Sequence, residues 1–198
     1  MRLSLIAACS LVLLLAGCFD WKHDVNLHGV NFQTARVAEN GKVIGTIATD
    51  TVINGHPCRA GWLHLHANGA VAAFTASQDV ALPRFTIPAG TWVIQDANSN
   101  VTVCAFPRNV EIQGKLCRGT GGPEGMQVSF YASGALKQFF APEPVRIDGI
   151  PCQRGGKGIH LHENGKLRSA TLSEDATIDG KLFHAGDEIR LSEAGRLN

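Results

Sequence analysis

The sequence lacks an excess of charge of either sign. Its 198 residues carry 18 Lys and Arg against 17 Asp and Glu, and a mature chain without Arg2 would be neutral. Without a basic face, the phosphate backbone of a nucleic acid has no evident counterpart on this protein. The charge balance therefore excludes nucleic acid from the expected partners, and a hydrophobic fraction of 44% excludes a disordered chain.

Motifs that carry common catalytic chemistry are also missing. The chain has no Gly-x-Ser-x-Gly elbow, no Ser-x-x-Lys pair, no His-Glu-x-x-His and no Cys-x-x-Cys. Asp79 and Asp175 recur in a Thr-x-Ser-x-Asp tract after a strand, where a role in a turn is expected rather than acid–base work. We therefore expect no enzyme activity.

No apolar run is long enough to cross a bilayer as a helix. The longest stretch, 3–15, follows Arg2 and has the length of a secretory signal rather than of a membrane span. It ends in Leu15-Ala16-Gly17-Cys18, which resembles the lipobox of bacterial lipoproteins. The alternative is an ordinary secretory signal with a chance cysteine.

The lipobox resemblance implies a cellular location for the protein. Residues 1–17 would be removed as a signal peptide, and Cys18 would carry diacylglycerol and a further acyl chain such as palmitate. Two or three chains give stable anchoring, whereas one chain does not. Phe19 in place of Asp after the cysteine favours the outer membrane of a Gram-negative envelope, facing the periplasm.

An internal duplication organises the rest of the chain. Residues 64–93 align without gaps to residues 160–189, and Ile53–Gly61 matches Ile147–Gly155. No amphipathic helical stretch follows the signal, so the predicted class is all-β, with duplicated antiparallel hairpins in a meandering sheet. The predicted segments are a tether at 18–35 and a repeat domain at 36–198, with halves at about 36–98 and 130–198 around a divergent insert at 99–129.

Asn-Gly and Ser-Gly pairs mark the predicted hairpin tips. Each pair is interpreted as the two-residue loop of a type I′ turn, which needs positive φ at both positions. The tips are Asn40-Gly41, Asn68-Gly69, Ser133-Gly134 and Asn164-Gly165. These hairpins resemble the MORN-variant repeats of bacterial proteins, and that resemblance implies an interaction surface without catalytic residues.

The predicted register separates two faces of the sheet. Leu63, Phe74 and Ile159 fall on the apolar face, and the histidines fall on the other face with Val71, Leu136 and Leu167. Two pairs fit this register poorly: Phe130 opposite Lys137, and Leu161 opposite Arg168.

Four cysteines remain after the signal and Cys18 are set aside. In an exported domain they are disulfide candidates: Cys58, Cys104, Cys117 and Cys152. Cys58, Cys117 and Cys152 occupy one repeat position, which holds Phe183 in another copy and therefore suits a buried apolar slot. Cys104 lies outside that position and is the best candidate for pairing with one of them.

Two His-x-His pairs are the alternative functional signal. His64 with His66 and His160 with His162 would each place two imidazoles on one strand face, a start for a zinc or copper site that still needs a third ligand. The third hairpin has Ser129 and Tyr131 at these positions, which favours a structural role. No cofactor is otherwise expected.

The favoured hypothesis is a lipid-anchored envelope protein with a non-catalytic binding or scaffolding module. Its partners would be the membrane, through the N-terminal lipid, and a protein or other envelope component. The alternative function is an envelope lipoprotein that binds metal through the His pairs. Trp62 and Trp92 lie beside repeat glycines, where packing is expected and a carbohydrate platform is the alternative.

Overall fold

A computed structural model describes residues 20–122 and 125–198, and all regular secondary structure in these two ranges is β-strand. The all-β prediction, with antiparallel hairpins in one large meandering sheet, is confirmed. Over the same ranges there is no helix with the length and apolarity to cross a bilayer. Residues 1–17 and Cys18 lie outside the described residues.

The main sheet adds strands nearly in sequence order, and every pairing in it is antiparallel. Strands are numbered along the chain. Those on the main path of the sheet are β1 (Lys22–Leu27), β2 (Val30–Val37), β3 (Val43–Ile47), β5 (His56–Leu65), β6 (Val71–Ala76), β9 (Trp92–Gln95), β10 (Val101–Ala105), β13 (Gln127–Phe130), β14 (Leu136–Phe139), β17 (Ile159–Leu161), β18 (Leu167–Thr171) and β21 (Glu188–Arg190).

Short hairpins alternate with these longer ones. They consist of β4 (Thr51–Ile53) paired with the start of β5, β7 (Val80–Ala81) with β8 (Thr86–Ile87), β11 (Val110–Ile112) with β12 (Lys115–Cys117), β15 (Val145–Ile147) with β16 (Ile150–Cys152), and β19 (Ala176–Ile178) with β20 (Lys181–Phe183). We call them the small hairpins.

Six turns of the main sheet share one geometry within the described residues. In the turn at 162–166, the N–H of His162 donates to the carbonyl of Lys166, and the N–H of Gly165 donates back to His162. This is a type I turn followed by one left-handed residue, a three-residue loop rather than the predicted two-residue I′ loop. The same bonds close the turns at 38–42, 66–70, 96–100, 131–135 and 192–196. We call these six turns the main turns.

The I′ prediction for these turns is wrong, and in three of the four predicted turns an asparagine side chain supports the longer loop. Asn164 Oδ1 accepts the N–H of Lys166 at 3.0 Å, and Asn68 Oδ1 accepts the N–H of Ala70 at 3.1 Å. This local bond favours an Asx-type turn, in which only the following glycine needs positive φ. Gly165 accordingly has φ of 82°, and Asn164 is not among the residues with positive φ.

Type I′ turns occur instead at the tips of four small hairpins. Asp148 and Gly149 have φ of 52° and 81°, the double left-handed geometry that such a turn requires. Asn54-Gly55, Gln113-Gly114 and Asp179-Gly180 have the same pattern. The Ile-x-Gly element of the repeat is therefore a hairpin in its own right.

Each small hairpin folds back over the apolar face of the main sheet. In the hairpin formed by β4 and the start of β5, Pro57 at the base accepts the N–H of Ser77 through its carbonyl. At the tip of the same hairpin, Asn54 Nδ2 donates to the carbonyl of Gly69, in the main turn at 66–70. One isoleucine from each small hairpin enters the same core as the main-sheet residues: Ile53, Ile87, Ile112, Ile147 and Ile178. The core therefore lies between the sheet and a row of small hairpins.

The longer loop changes the pairing next to each tip. Phe130 pairs with Leu136 and Leu161 with Leu167, whereas Ser129 with Gln138 and His160 with Ser169 keep the predicted register. A one-residue bulge separates the two registers. It turns Val71, Leu136 and Leu167 into the core, so their predicted place on the histidine face is wrong.

The segment predicted as a tether contributes strands to the sheet. From residue 20 onward it forms β1 and most of β2, joined by a tight turn at His28-Gly29. Val30, Phe32 and Ala35 are buried in the core. Val30 and Phe32 alternate with polar residues, and this alternation is the strand pattern that the tether prediction overlooked.

Candidate functional site

The recurring aspartates, Asp79 and Asp175, stabilise turns by accepting backbone hydrogen bonds. Asp79 Oδ1 accepts the N–H of Ala89 at 2.7 Å, and Asp175 Oδ1 accepts the N–H of Ala185 at 2.9 Å. Both bonds close the loop around a small hairpin. The expected turn role of these residues is confirmed.

The four cysteines in the described ranges are free and buried. Cys58, Cys117 and Cys152 each direct the thiol toward the carbonyl two residues earlier, at 3.5, 3.6 and 3.4 Å, so the repeat position is a buried slot in these three copies. Phe183, at the same position in the last copy, is only half-buried. Burial raises the pKa of Cys58 and Cys117 to about 12 and that of Cys152 to about 11. Burial also raises the pKa of Cys104. These thiols are therefore poor nucleophiles and poor metal ligands.

The second histidine of each pair links neighbouring main turns. His66 Nε2 donates to the carbonyl of Gln95 at 3.0 Å, and His162 Nε2 donates to the carbonyl of Leu191 at 2.9 Å. In the intervening repeat, the hydroxyl of Tyr131 donates to the carbonyl of Leu161 at 2.8 Å. Each acceptor is the residue immediately before the next main turn along the sheet. The three side chains therefore have the same role, which is to join two neighbouring main turns by a hydrogen bond.

The first histidine of each pair lies on the sheet surface. His64 packs edge-on against Trp92, with ring centroids 5.6 Å apart, and burial followed by the Arg36 charge lowers its pKa. His160 Nε2 donates to the carbonyl of Lys157 at 3.2 Å. Across residues 20–122 and 125–198, no group of three His, Cys, Asp or Glu side chains has the placement of a metal site.

A continuous row of side chains crosses the sheet on the side away from the core. Strand pairing places in this row one residue of each main-path strand from β2 to β21: Arg36, Ile44, His64, Ala73, Ile94, Val103, Ser129, Gln138, His160, Ser169 and Arg190. Most are half-buried, as expected for a sheet face over which no other segment of the described ranges packs. We call this surface the open face.

The two ends of the open face differ in chemistry. Toward β2, Trp62 and Trp92 join Ile44 and Ile94, and Trp92 is buried in a small cluster with Ala73 and Ala105. Toward β21 the surface is polar and charged, with Ser169, Arg190 and Glu188 on paired strands. The tryptophans of the described face therefore lie in its N-terminal half.

A shallow depression marks the C-terminal end of the open face. Its volume is about 510 Å3, and its lining includes Lys157, Arg168, Glu188 and Arg190. Glu188 binds both Lys157 Nζ at 2.6 Å and the Arg190 guanidinium at 3.2 Å, and the Lys157 bond is the main cause that lowers the pKa of Glu188. Three cationic side chains against one carboxylate side chain give the lining a net positive side-chain charge.

The open face was not predictable as a unit. The histidines at 64 and 160 were recognisable, but Arg36, Gln138 and Arg190 join them only through the pairing of distant strands. Trp21 was assigned to the tether and so was missed as part of this surface. Its aromatic side chain one residue before an alternating segment was the available signal.

The chain matches no family model, no curated protein and no solved structure.

Proposed function

We propose that this is a lipid-anchored protein of the bacterial cell envelope whose β-repeat sheet serves as a non-catalytic binding or scaffolding module. The observation that carries the proposal is the open face, a row of half-exposed side chains that runs from Arg36 to Arg190 across the sheet. A broad uncovered surface suits a macromolecular partner better than a small substrate, which needs an enclosing pocket.

The repeated residues support this interpretation because they have structural roles. The aspartates close loops, the second histidines link turns, and the cysteines fill a core slot. Residues that recur with the fold therefore do not supply a catalytic constellation.

The chemistry of the face indicates what the partner offers. The positive depression around Lys157 and Arg190 suits an acidic group of a protein or other envelope component. The lipobox at Leu15–Cys18 supplies the proposed anchor, in the outer membrane facing the periplasm if the envelope is Gram-negative.

Metabolic labelling with an alkyne fatty acid tests the anchor. The wild-type protein should take up label, and Cys18→Ser should not. Label retained by Cys18→Ser would contradict lipidation at this residue.

Site-specific photo-cross-linking in intact envelopes tests the binding module. A cross-linkable residue in place of Gln138 lies on the open face, and one in place of Leu182 lies on an exposed position of a small hairpin. We expect an adduct of the same size from Gln138 and Ser169 and none from Leu182. An adduct from Leu182 alone, or from no position on the open face, would contradict the proposal.

A further inference from the structure

Two exposed tryptophans form a pair at the N-terminal edge of the open face. Trp21 and Trp62 pack edge to face, with ring centroids 6.1 Å apart, and the Arg36 guanidinium lies 5.5 Å from the Trp21 ring centroid. Trp21 is 37% and Trp62 50% exposed, whereas Trp92 on the same face is only 5% exposed. We call Trp21, Arg36 and Trp62 the tryptophan patch.

Strand register explains how residues so distant in sequence come together. Lys22 pairs with Ala35, so Trp21 stands opposite Arg36 at the start of β1. Thr46 lies between its partners Thr34 on β2 and Trp62 on β5, which brings Trp62 to the same side of the sheet. Exposed large aromatic side chains grouped with a cation are typical of an interaction site rather than of a solvated surface.

Covalent geometry places this patch beside the proposed lipid. Two residues lie between Cys18 and Trp21, so three residue steps hold their Cα atoms at most about 11 Å apart. The headgroup layer on each side of a bilayer is several ångströms thick. Trp62, in contact with Trp21, is therefore within reach of that layer when Cys18 is anchored.

The chemistry of the patch matches a membrane interface. Indole rings favour the headgroup region because one part is apolar and the N–H is polar, and a guanidinium is attracted to anionic lipid. The lipid would also raise the effective concentration of the patch at the surface, so that a weak contact suffices. Asp20 and Lys22, on either side of Trp21, offset each other in charge.

We propose that the tryptophan patch binds the headgroup region of the bilayer and so seats the N-terminal edge of the sheet on the membrane. This inference rests on the lipid anchor proposed above. It makes the domain an oriented body on the membrane surface rather than one that swings freely on its anchor. The rest of the open face then projects away from the bilayer.

Tryptophan quenching by brominated lipids tests this contact. The lipidated protein is reconstituted in phosphatidylethanolamine and phosphatidylglycerol vesicles whose acyl chains are brominated or not. Trp62 is the informative reporter, because Trp21 stays near the lipid through the chain alone. A variant that keeps only Trp62 (Trp21→Phe with Trp92→Phe) should lose emission in the brominated vesicles.

The buried tryptophan provides the matched control. A variant that keeps only Trp92 (Trp21→Phe with Trp62→Phe) should emit equally in both kinds of vesicle. Mass spectrometry of each preparation reports lipid on Cys18, which separates the two proposals. Lipidated protein with unquenched Trp62 would overturn the patch contact alone, and protein without lipid would overturn the anchor and this inference with it.

Discussion

The imidazole Nε2 of His162 lies 2.9 Å from the carbonyl oxygen of Leu191, the residue before the last main turn. The same bond joins His66 to Gln95, and Tyr131 makes it with a hydroxyl. A histidine and a tyrosine thus fill one role in successive repeats. The recurrence of the second histidine of each pair follows from the way neighbouring hairpins are joined.

Replacing His162 should separate two adjacent turns. His162→Ala removes one hydrogen bond and its packing, and we expect a loss of about 1 kcal/mol in the free energy of unfolding. His162→Tyr should retain most of the stability, because Tyr131 already makes the equivalent bond. Urea denaturation measures both, with Glu163→Ala at an exposed turn position as the control. Equal stability of His162→Ala and the wild type would show that the bond contributes nothing.

Acidification should destabilise the protein through His56 and His64. Burial lowers the pKa of both imidazoles from 6.5, and Arg36 lowers that of His64 further. As pH falls below about 6.5 the unfolded chain binds protons first, so this stability is complete above that pH and is lost progressively until the folded imidazoles are protonated.

Melting temperatures at a pH of about 7.5 and about 5.5 test this effect, since carboxylates titrate lower, near a pH of 4. The double variant His56→Phe with His64→Phe should show a smaller decrease between the two conditions than the wild type. Identical decreases would assign the pH dependence to other groups.

Gly165 should tolerate a side chain poorly for a backbone reason alone. Its φ is 82°, and a Cβ built there meets no atom within 4 Å. Gly165→Ala should therefore cost about 1–2 kcal/mol, the penalty of the left-handed region for an L-residue. Gly165→Asn should cost less, since Asn enters this region more readily, and Ser99 holds the matching position of another turn at φ 65°. Equal melting temperatures for Gly165→Ala and the wild type would contradict the turn geometry.

Thiol counting distinguishes a reduced core from a disulfide-linked one. In the folded protein Cys58, Cys104, Cys117 and Cys152 are buried and should react slowly with a thiol reagent. After unfolding without reductant, the lipidated protein should react at all four. Two reactive thiols instead of four would show a disulfide, for which Cys104 was the favoured partner.

Truncating one isoleucine of a small hairpin should expose how much this layer contributes. Ile147 is 1% exposed, so Ile147→Ala should cost about 2–5 kcal/mol, as large-to-small core changes do. Val52→Ala at a position 68% exposed is the matched control and should change stability little. If both variants unfold at the same denaturant concentration, the small hairpin is not packed on the sheet as described.

The all-β class was predictable because alternation and turn residues act locally. Glycine tips at 41, 69, 134 and 165 were found from the sequence, while the turn at 96–100 was missed because Ser99 stands in place of glycine. The type of turn was not predictable from Asn-Gly alone. In the turns at 66–70 and 162–166 an asparagine side chain that bonds the backbone two residues on supports the three-residue loop, whereas Asn54-Gly55 forms a two-residue loop with positive φ at both positions.

The register near the tips was wrong for a related reason. A two-residue loop pairs Leu161 with Arg168, and that mismatch is the signal for a loop one residue longer. With the bulge in place, Leu161 pairs with Leu167 and both are buried. The open face could not be assembled from single hairpins, because it also depends on the pairing between successive hairpins, such as Gln138 with His160.

The order of strands in the sheet sets how far from the membrane a partner can be bound. Because each hairpin is added beside the preceding one, from β1 to β21, distance along the chain becomes distance across the sheet. Neighbouring strands are spaced by about 4.8 Å, so the path spans at most roughly 50 Å. If the N-terminal edge rests on the bilayer, strands later in the sequence lie farther from the membrane surface. The basic depression near Arg190 then lies at the end of the sheet farthest from the membrane. Deleting or adding one repeat would then shorten or lengthen the distance at which a partner is held.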